Sequence, residues 1–251
     1  MLIRAYSDLH GFLPVVPPCD ALFIAGDICP ISGPYGDHTP KTQAKFLKVH
    51  FYRWCIDVPA EYIVLTPGNH DAIFEPKNRG FHYELPRKVA LLIDKAVEID
   101  RGGPRIFAQP WIPTLKMWPF YKMNSRLQEL AELLPRDVDI WMFHGPPLVD
   151  RPTYVLDVVR GKHTGNPYVT PKILDRRPQL VLCGHIHEGF ALDEIGEVPV
   201  ANVAFVDERY VSCHRHLEIA WSEHDRVITR LELIESGAAL LWSDANRDLR
   251  D

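Results

Sequence analysis

Five short apolar runs punctuate the chain, and each ends in a cluster of polar residues. Residues 2–7 lead into Asp8-Leu9-His10-Gly11, and Ala21–Ala25 lead into Gly26-Asp27. Residues 62–65 precede Pro67-Gly68-Asn69-His70-Asp71. Ile140–Phe143 precede His144-Gly145-Pro146-Pro147, and Leu180–Cys183 precede Gly184-His185-Ile186-His187. Uninterrupted apolar runs without alternation predict strands buried on both faces. Residues 41–55 carry Phe46, Leu47, Phe51 and Trp54 at helical spacing, and residues 126–134 carry Leu127, Leu130, Ala131 and Leu134 on one stripe. Strands alternating with helices predict an α/β fold with parallel strands, in which ligands bind beyond the carboxyl ends of the strands. Those are the ends where the Asp, Asn and His residues lie.

Residues 29–40, rich in Pro and Gly, and residues 110–119, with three Pro, read as loops. The second loop is too apolar for a floppy linker. Its Trp111 and Trp118 read first as loop-packing residues, the alternative being a pocket wall that stacks on a base. Beyond Asn202 the pattern returns to strands, with partial alternation over residues 227–233, and the polar residues 243–251 read as a disordered tail. No repeat or composition shift divides the chain, so residues 1–251 are expected to form one domain.

Composition narrows the function classes. With 46% hydrophobic residues and six Trp, the 251-residue chain can bury a core without disulfides. A formal net charge of -5 and a pI near 6.2 weigh against duplex nucleic acid as a partner. Five cysteines with no C-x-x-C pair read as reduced thiols, and hence as a cytoplasmic protein. No apolar run reaches the roughly 18–20 residues of a transmembrane helix, and no signal-peptide core is visible.

The motifs differ in weight. From 15 Gly and 12 His, about 0.03 matches to Gly-His-x-His are expected by chance, so Gly184-His185-Ile186-His187 is a strong signal. Gly68-Asn69-His70 is rarer still, whereas a lone D-x-H or Gly-Asp pair is weak. Carboxylate oxygen and neutral imidazole suit Mn, Fe, Zn, Ni or Co. A carboxylate can bridge two ions and so offset their mutual repulsion, and Asp27, behind Gly26, is the candidate bridge. Asp8/His10 and His185/His187 each skip one residue, which on an extended segment would project both side chains to one side.

Together Asp8-x-His10, Gly26-Asp27, Gly68-Asn69-His70-Asp71, His144-Gly145 and Gly184-His185-x-His187 resemble the signature of the calcineurin-like metallophosphoesterase superfamily. The resemblance spans about residues 3–204. His144-Gly145-Pro146-Pro147, the run from Gly184 to Gly189, Pro110-Trp111-Ile112-Pro113 and Gly161-Lys162-His163-Thr164-Gly165 further resemble the subgroup of vertebrate brain metallophosphoesterase-domain proteins and their bacterial relatives. The resemblance implies a four-layer α/β/β/α sandwich with two mixed sheets and the metals at the strand ends. It implies two divalent ions, with manganese favoured: one on Asp8, His10, Asp27 and His187, the other on Asp27, Asn69, His144 and His185. It also implies hydroxide between the ions as nucleophile, His70 as the acid near the leaving group, and Asp71 orienting His70. The expected substrate is a small or cyclic nucleotide-type phosphodiester, and His163 is a candidate to touch it. A phosphomonoesterase or pyrophosphatase would need the same ions. A non-catalytic scaffold fits poorly with an intact ligand set, and a nuclease acting on long polymers fits poorly with the acidic charge.

Overall fold

A computed structural model describes residues 1–78, 80–100 and 102–235. The tail expected at residues 243–251 lies outside them. β1 (Leu2–Tyr6), β2 (Ala21–Ala25) and β3 (Tyr62–Thr66) run parallel in the middle of the first sheet. β4 (Val89–Leu91) extends this sheet on one side, and β13 (Arg215–Ser222) with β14 (Val227–Glu235) extends it antiparallel on the other. The second sheet is built on β7 (Ile140–Phe143), flanked by β6 (Arg105–Gln109) and β10 (Leu180–Cys183). β5 (Lys95–Glu98) closes one edge; β12 (Val198–Asn202) and β11 (Ala191–Ile195) close the other. Both six-stranded sheets are therefore mixed.

The apolar runs lack alternation because both faces of each strand are covered. On β2, Ala21, Phe23 and Ala25 face the second sheet, packed with Ile106, Ile140, Met142, Leu180 and Leu182. Leu22 and Ile24 point the other way, against Phe46, Leu47 and Phe51. Those residues come from one continuous helical segment: α1 (Pro40–Phe46), a π-type turn (Leu47–Phe51) and α2 (Tyr52–Asp57). The outer face of the second sheet, through Trp141, Phe143 and Val181, is covered by Ala131 of α3 (Asn124–Glu132) and Ile173 of α4 (Thr170–Arg176). The order helix, sheet, sheet, helix is the four-layer sandwich expected.

The two sheets meet at the carboxyl ends of their central strands. Past β1, the Ser7 amide donates to the Val203 carbonyl (2.9 Å), and the Phe205 amide donates to the Ser7 carbonyl (2.8 Å). In the second sheet the Gly184 amide donates to the His144 carbonyl (2.9 Å). These links bring the polar cluster after β1 beside those after β7 and β10.

Candidate metal centre

Five strand ends deliver their polar residues to one buried locality. Asp8, Asp27, Asn69 and His144 are at most 1% exposed, and His10 and His187 are buried as well. Three groups form, the third, His10 with Asp27 and His70, linking the other two. His10 Nε2 lies 3.1 Å from His187 Nε2 and 3.9 Å from Asp8 Oδ1, while His187 Nε2 lies 3.3 Å from that same oxygen. In the second group His144 Nε2 lies 3.0 Å from Asn69 Oδ1 and 3.4 Å from Asp27 Oδ2, and His185 joins Asp27 and His144. Asp27 Oδ2 is also 3.8 Å from His10 Nε2. One carboxylate oxygen thus stands between the two groups, while Asp27 Oδ1 accepts the His70 amide (2.7 Å).

The D-x-H and H-x-H segments are not extended, which overturns the same-side argument from the i, i+2 spacing. Asp8, His10, Asp27 and His185 all occupy the left-handed region, with φ of 55, 44, 54 and 69°. Chain coiling aims these side chains: the Asp8 amide donates to the Gly26 carbonyl (2.9 Å) and the His10 amide to the Asp27 carbonyl (2.8 Å). His185 and His187 consequently join different groups. The motif glycines make the crowding possible. Gly26 has φ +105°, and a Cβ there would strike the His144 ring; a Cβ on Gly184 would strike Ser7 Oγ and the Asp8 carboxylate.

The donor set fits divalent ions on a specific ground. His144 Nδ1–H donates to the Ala25 carbonyl (2.9 Å) and His187 Nδ1–H to the Asp207 carbonyl (3.1 Å), which in neutral rings leaves each Nε2 as a bare acceptor. Those lone pairs face other acceptors, Asp27 Oδ2, Asn69 Oδ1 and Asp8 Oδ1. Acceptors converging on acceptors in a buried site need a cation between them. In the metal-free protein, protons take that part. Burial opposes charge on His144, but the Asp27 carboxylate outweighs it and pushes the imidazole up to about 9. Burial likewise opposes charge on Asp8, yet the hydrogen-bonded His187 brings it down to about 2. His185 is pushed down to about 3, by burial first and then by His144.

His70 also lines the cavity, its ring 4.8 Å from that of His10. Among the described residues Asp71 makes no hydrogen bond to the His70 ring. The Asp71 carboxylate instead accepts the amides of Cys29 (2.8 Å), Gly68 (2.9 Å) and Ile28 (3.2 Å), while His70 Nδ1 has no hydrogen bond among the described residues. The reason is steric order along the turn: the peptide after β3 curls back on Asp71, tying the loops that carry Asp27 and Asn69. Trp118 packs on His70, their rings 4.6 Å apart, and His38 stands 5.2 Å from it. His163 donates from Nδ1 to the buried Asp157 (2.7 Å) at the end of a hairpin, β8 (Val158–Val159) and β9 (Lys162–His163). The neighbouring Val159, Arg160 and Thr164 line the cavity, which encloses about 530 Å³. Sequence reasoning missed Leu115, Arg160 and Tyr210 in that lining. No motif marks them, and only the fold brings their loops over the site.

Comparison with known proteins agrees with this geometry. Residues 2–189 match the family described as calcineurin-like phosphoesterase. The chain belongs to that family. Human metallophosphoesterase domain-containing protein 1 is 28% identical over 230 residues, covering 81% of this chain; the chain spans 66% of that protein's length. A Caenorhabditis elegans UPF0046 protein, C25E10.12, is 22% identical over 83% of this chain and 75% of its own length. Among solved structures, TT1561 of Thermus thermophilus shares the fold with TM-score 0.53 at 17% identity, over 93% of this chain and 98% of that one. A putative 5'-nucleotidase from Staphylococcus aureus shares it with TM-score 0.55 at 13% identity, over 98% and 56%. The chain is accordingly a member of the calcineurin-like phosphoesterase family, with buried His/Asp clusters consistent with a dinuclear metal site. Among the described residues no helix is long and apolar enough to cross a membrane.

Proposed function

We propose that this phosphoesterase hydrolyses small phosphodiesters of nucleotide type at two divalent ions. One would be held by Asp8, His10, Asp27 and His187, the other by Asp27, Asn69, His144 and His185. The observation that carries this reading is the position of Asp27 Oδ2, 3.8 Å from His10 Nε2 and 3.4 Å from His144 Nε2. Manganese is the favoured ion, with Fe, Zn, Ni and Co compatible with the same nitrogen and oxygen donors. When bound, such a pair acidifies water and neutralises phosphoryl oxygens.

The chain's own residues supply the rest. Asp27 holds the two groups in register through its His70 amide contact. Asp71 fixes the turn that presents Asn69 and His70. His70 borders the cavity where a leaving oxygen would depart and is the candidate proton donor. Burial holds its imidazole below the usual range, against the pull of Asp27. His163, braced by Asp157, lies on the hairpin that supplies Arg160 to the cavity, which supports a part in substrate binding. A space of about 530 Å³ lies within the range of small-molecule sites and supports a substrate larger than inorganic phosphate. Five unpaired thiols suit a reducing, cytoplasmic setting.

Turnover of bis-p-nitrophenyl phosphate against p-nitrophenyl phosphate, in manganese-loaded protein, tests the diester reading. Preference for the diester is expected. Preference for the monoester would make the chain a phosphomonoesterase using the same donors.

A further inference from the structure

Two bulky residues outside the motifs face the cavity in a backbone conformation they rarely adopt. Leu115, on the loop after β6, has φ 63°; Tyr210, on the loop after β12, has φ 60°. Both line the cavity, and they remain 44% and 38% exposed. A non-glycine residue held there is strained and persists only where its surroundings over-determine it.

For Tyr210 those surroundings are explicit. Asp207 builds the turn: its carboxylate accepts the Arg209 amide (2.9 Å) and the Val211 amide (2.8 Å), and its own amide donates to the Val211 carbonyl (2.9 Å). Its carbonyl accepts the Tyr210 amide (2.9 Å) and also His187 Nδ1–H (3.1 Å). A single residue therefore sets both the imidazole of His187 and the position of Tyr210. The tyrosine ring stands 4.9 Å from the rings of both His10 and His187, edge to face, and 6.3 Å from His70. One side of the phenol is thus seated on the proposed ligand imidazoles, and the remainder is open to the cavity. Leu115 and Ile186 add apolar surface to the same lining. The phosphoryl group needs only the Asp/His end of this space, so the aromatic and apolar wall is left for the ester substituent.

We propose that Tyr210 is a specificity-determining platform: a planar aromatic ring in the substrate's ester substituent stacks on its ring while the phosphoryl group occupies the Asp/His end. The assignment rests on the phosphoesterase reading above, so the test uses compounds that cannot be hydrolysed. Dissociation constants of phenylphosphonate and methylphosphonate are measured by calorimetry on manganese-loaded wild type, Tyr210→Ala and Tyr210→Leu, with metal content determined in parallel. Loss of a stacking partner is expected to weaken phenylphosphonate roughly five- to hundredfold in both variants. Methylphosphonate binding and metal content are expected to stay near wild type, with Tyr210→Leu keeping bulk against His10 and His187. Equal weakening of both phosphonates, or loss of metal, would make Tyr210 a brace for the imidazoles and overturn the proposal. So would wild type that binds the phenyl compound no better than the methyl one. Because neither phosphonate is cleaved, this result is independent of turnover. Selective binding without any ester hydrolysis would sink the phosphoesterase reading alone, and hydrolysis without selectivity would sink only the platform.

Discussion

Replacing Asp71 by Asn separates what its carboxylate holds from what its charge costs. In the wild type Oδ2 accepts the amides of Gly68 and Ile28, and Oδ1 accepts that of Cys29. The asparagine oxygen can serve Gly68 and Ile28, but its NH₂ group then meets the Cys29 amide, leaving buried donors unpaired. That costs about 1–3 kcal/mol. Against it stands the burden of the charge. Burial, reinforced by the Asp27 carboxylate, pushes Asp71 from 3.8 up to about 6 in the metal-free protein. Below 3.8 the group is protonated folded and unfolded, and the stabilisation from its raised value is fully present. As pH rises through about 6 the folded group ionises and that stabilisation is lost. Asparagine does not titrate, so the mutant escapes the loss. Between about pH 5 and about pH 7.5 the stability gap between wild type and Asp71→Asn should therefore shrink by about 1–2 kcal/mol. Urea unfolding in EDTA at the two pH values reads this as a relative shift in midpoint of roughly 0.5 M. A gap that is constant, or that widens toward the higher pH, would refute the reasoning, because it would mean that the three amides already keep Asp71 ionised at the lower one.

Two further outcomes follow from the same site. His70→Asn should lower turnover by about 10²- to 10⁴-fold while two ions per chain are retained; loss of metal instead would show that His70 is a ligand. Because Asp27 holds the metal-free His144 up to about 9, metal binding at neutral pH must displace its proton. Calorimetry in buffers of different ionisation enthalpy should report release of about one proton or more, with apparent affinity rising as pH approaches about 9. Binding without proton release would contradict this.

Much of the fold and of the site was legible because buried strands and metal donors both leave local traces. The apolar run Ala21–Ala25 matches its strand to the residue, as do Ile140–Phe143 and Leu180–Cys183, because two covered faces leave no polar positions to blur their ends. The helix expected at residues 41–55 spans Pro40 to Asp57 with a π-type turn inside it, which spacing alone does not reveal. Strands β5 and β11 escaped because they carry half-exposed, partly charged sequences at sheet edges, and β4 because it is only three residues long. In the site, residue types gave the donors, but their direction depended on left-handed backbone at Asp8, His10 and His185, which the spacing had suggested was extended. Asp71 reads like a partner for the adjacent His70, and only the tertiary turn shows its carboxylate given to backbone amides. Tyr210 carried no signal at all: an exposed tyrosine in an Asp-Glu-Arg-Tyr loop becomes a wall of the site only after β12 returns the chain to it.

The most direct measurement is the number of ions bound by Asp27→Asn. Asparagine keeps an oxygen for the His70 amide while removing the anionic oxygen that lies between His10 and His144. After loading with manganese and removal of free metal, elemental analysis should give two ions per chain for the wild type and at most one for the mutant, with hydrolysis of phosphate esters abolished. A mutant that holds two ions as firmly as the wild type would contradict a shared carboxylate at the centre of the site.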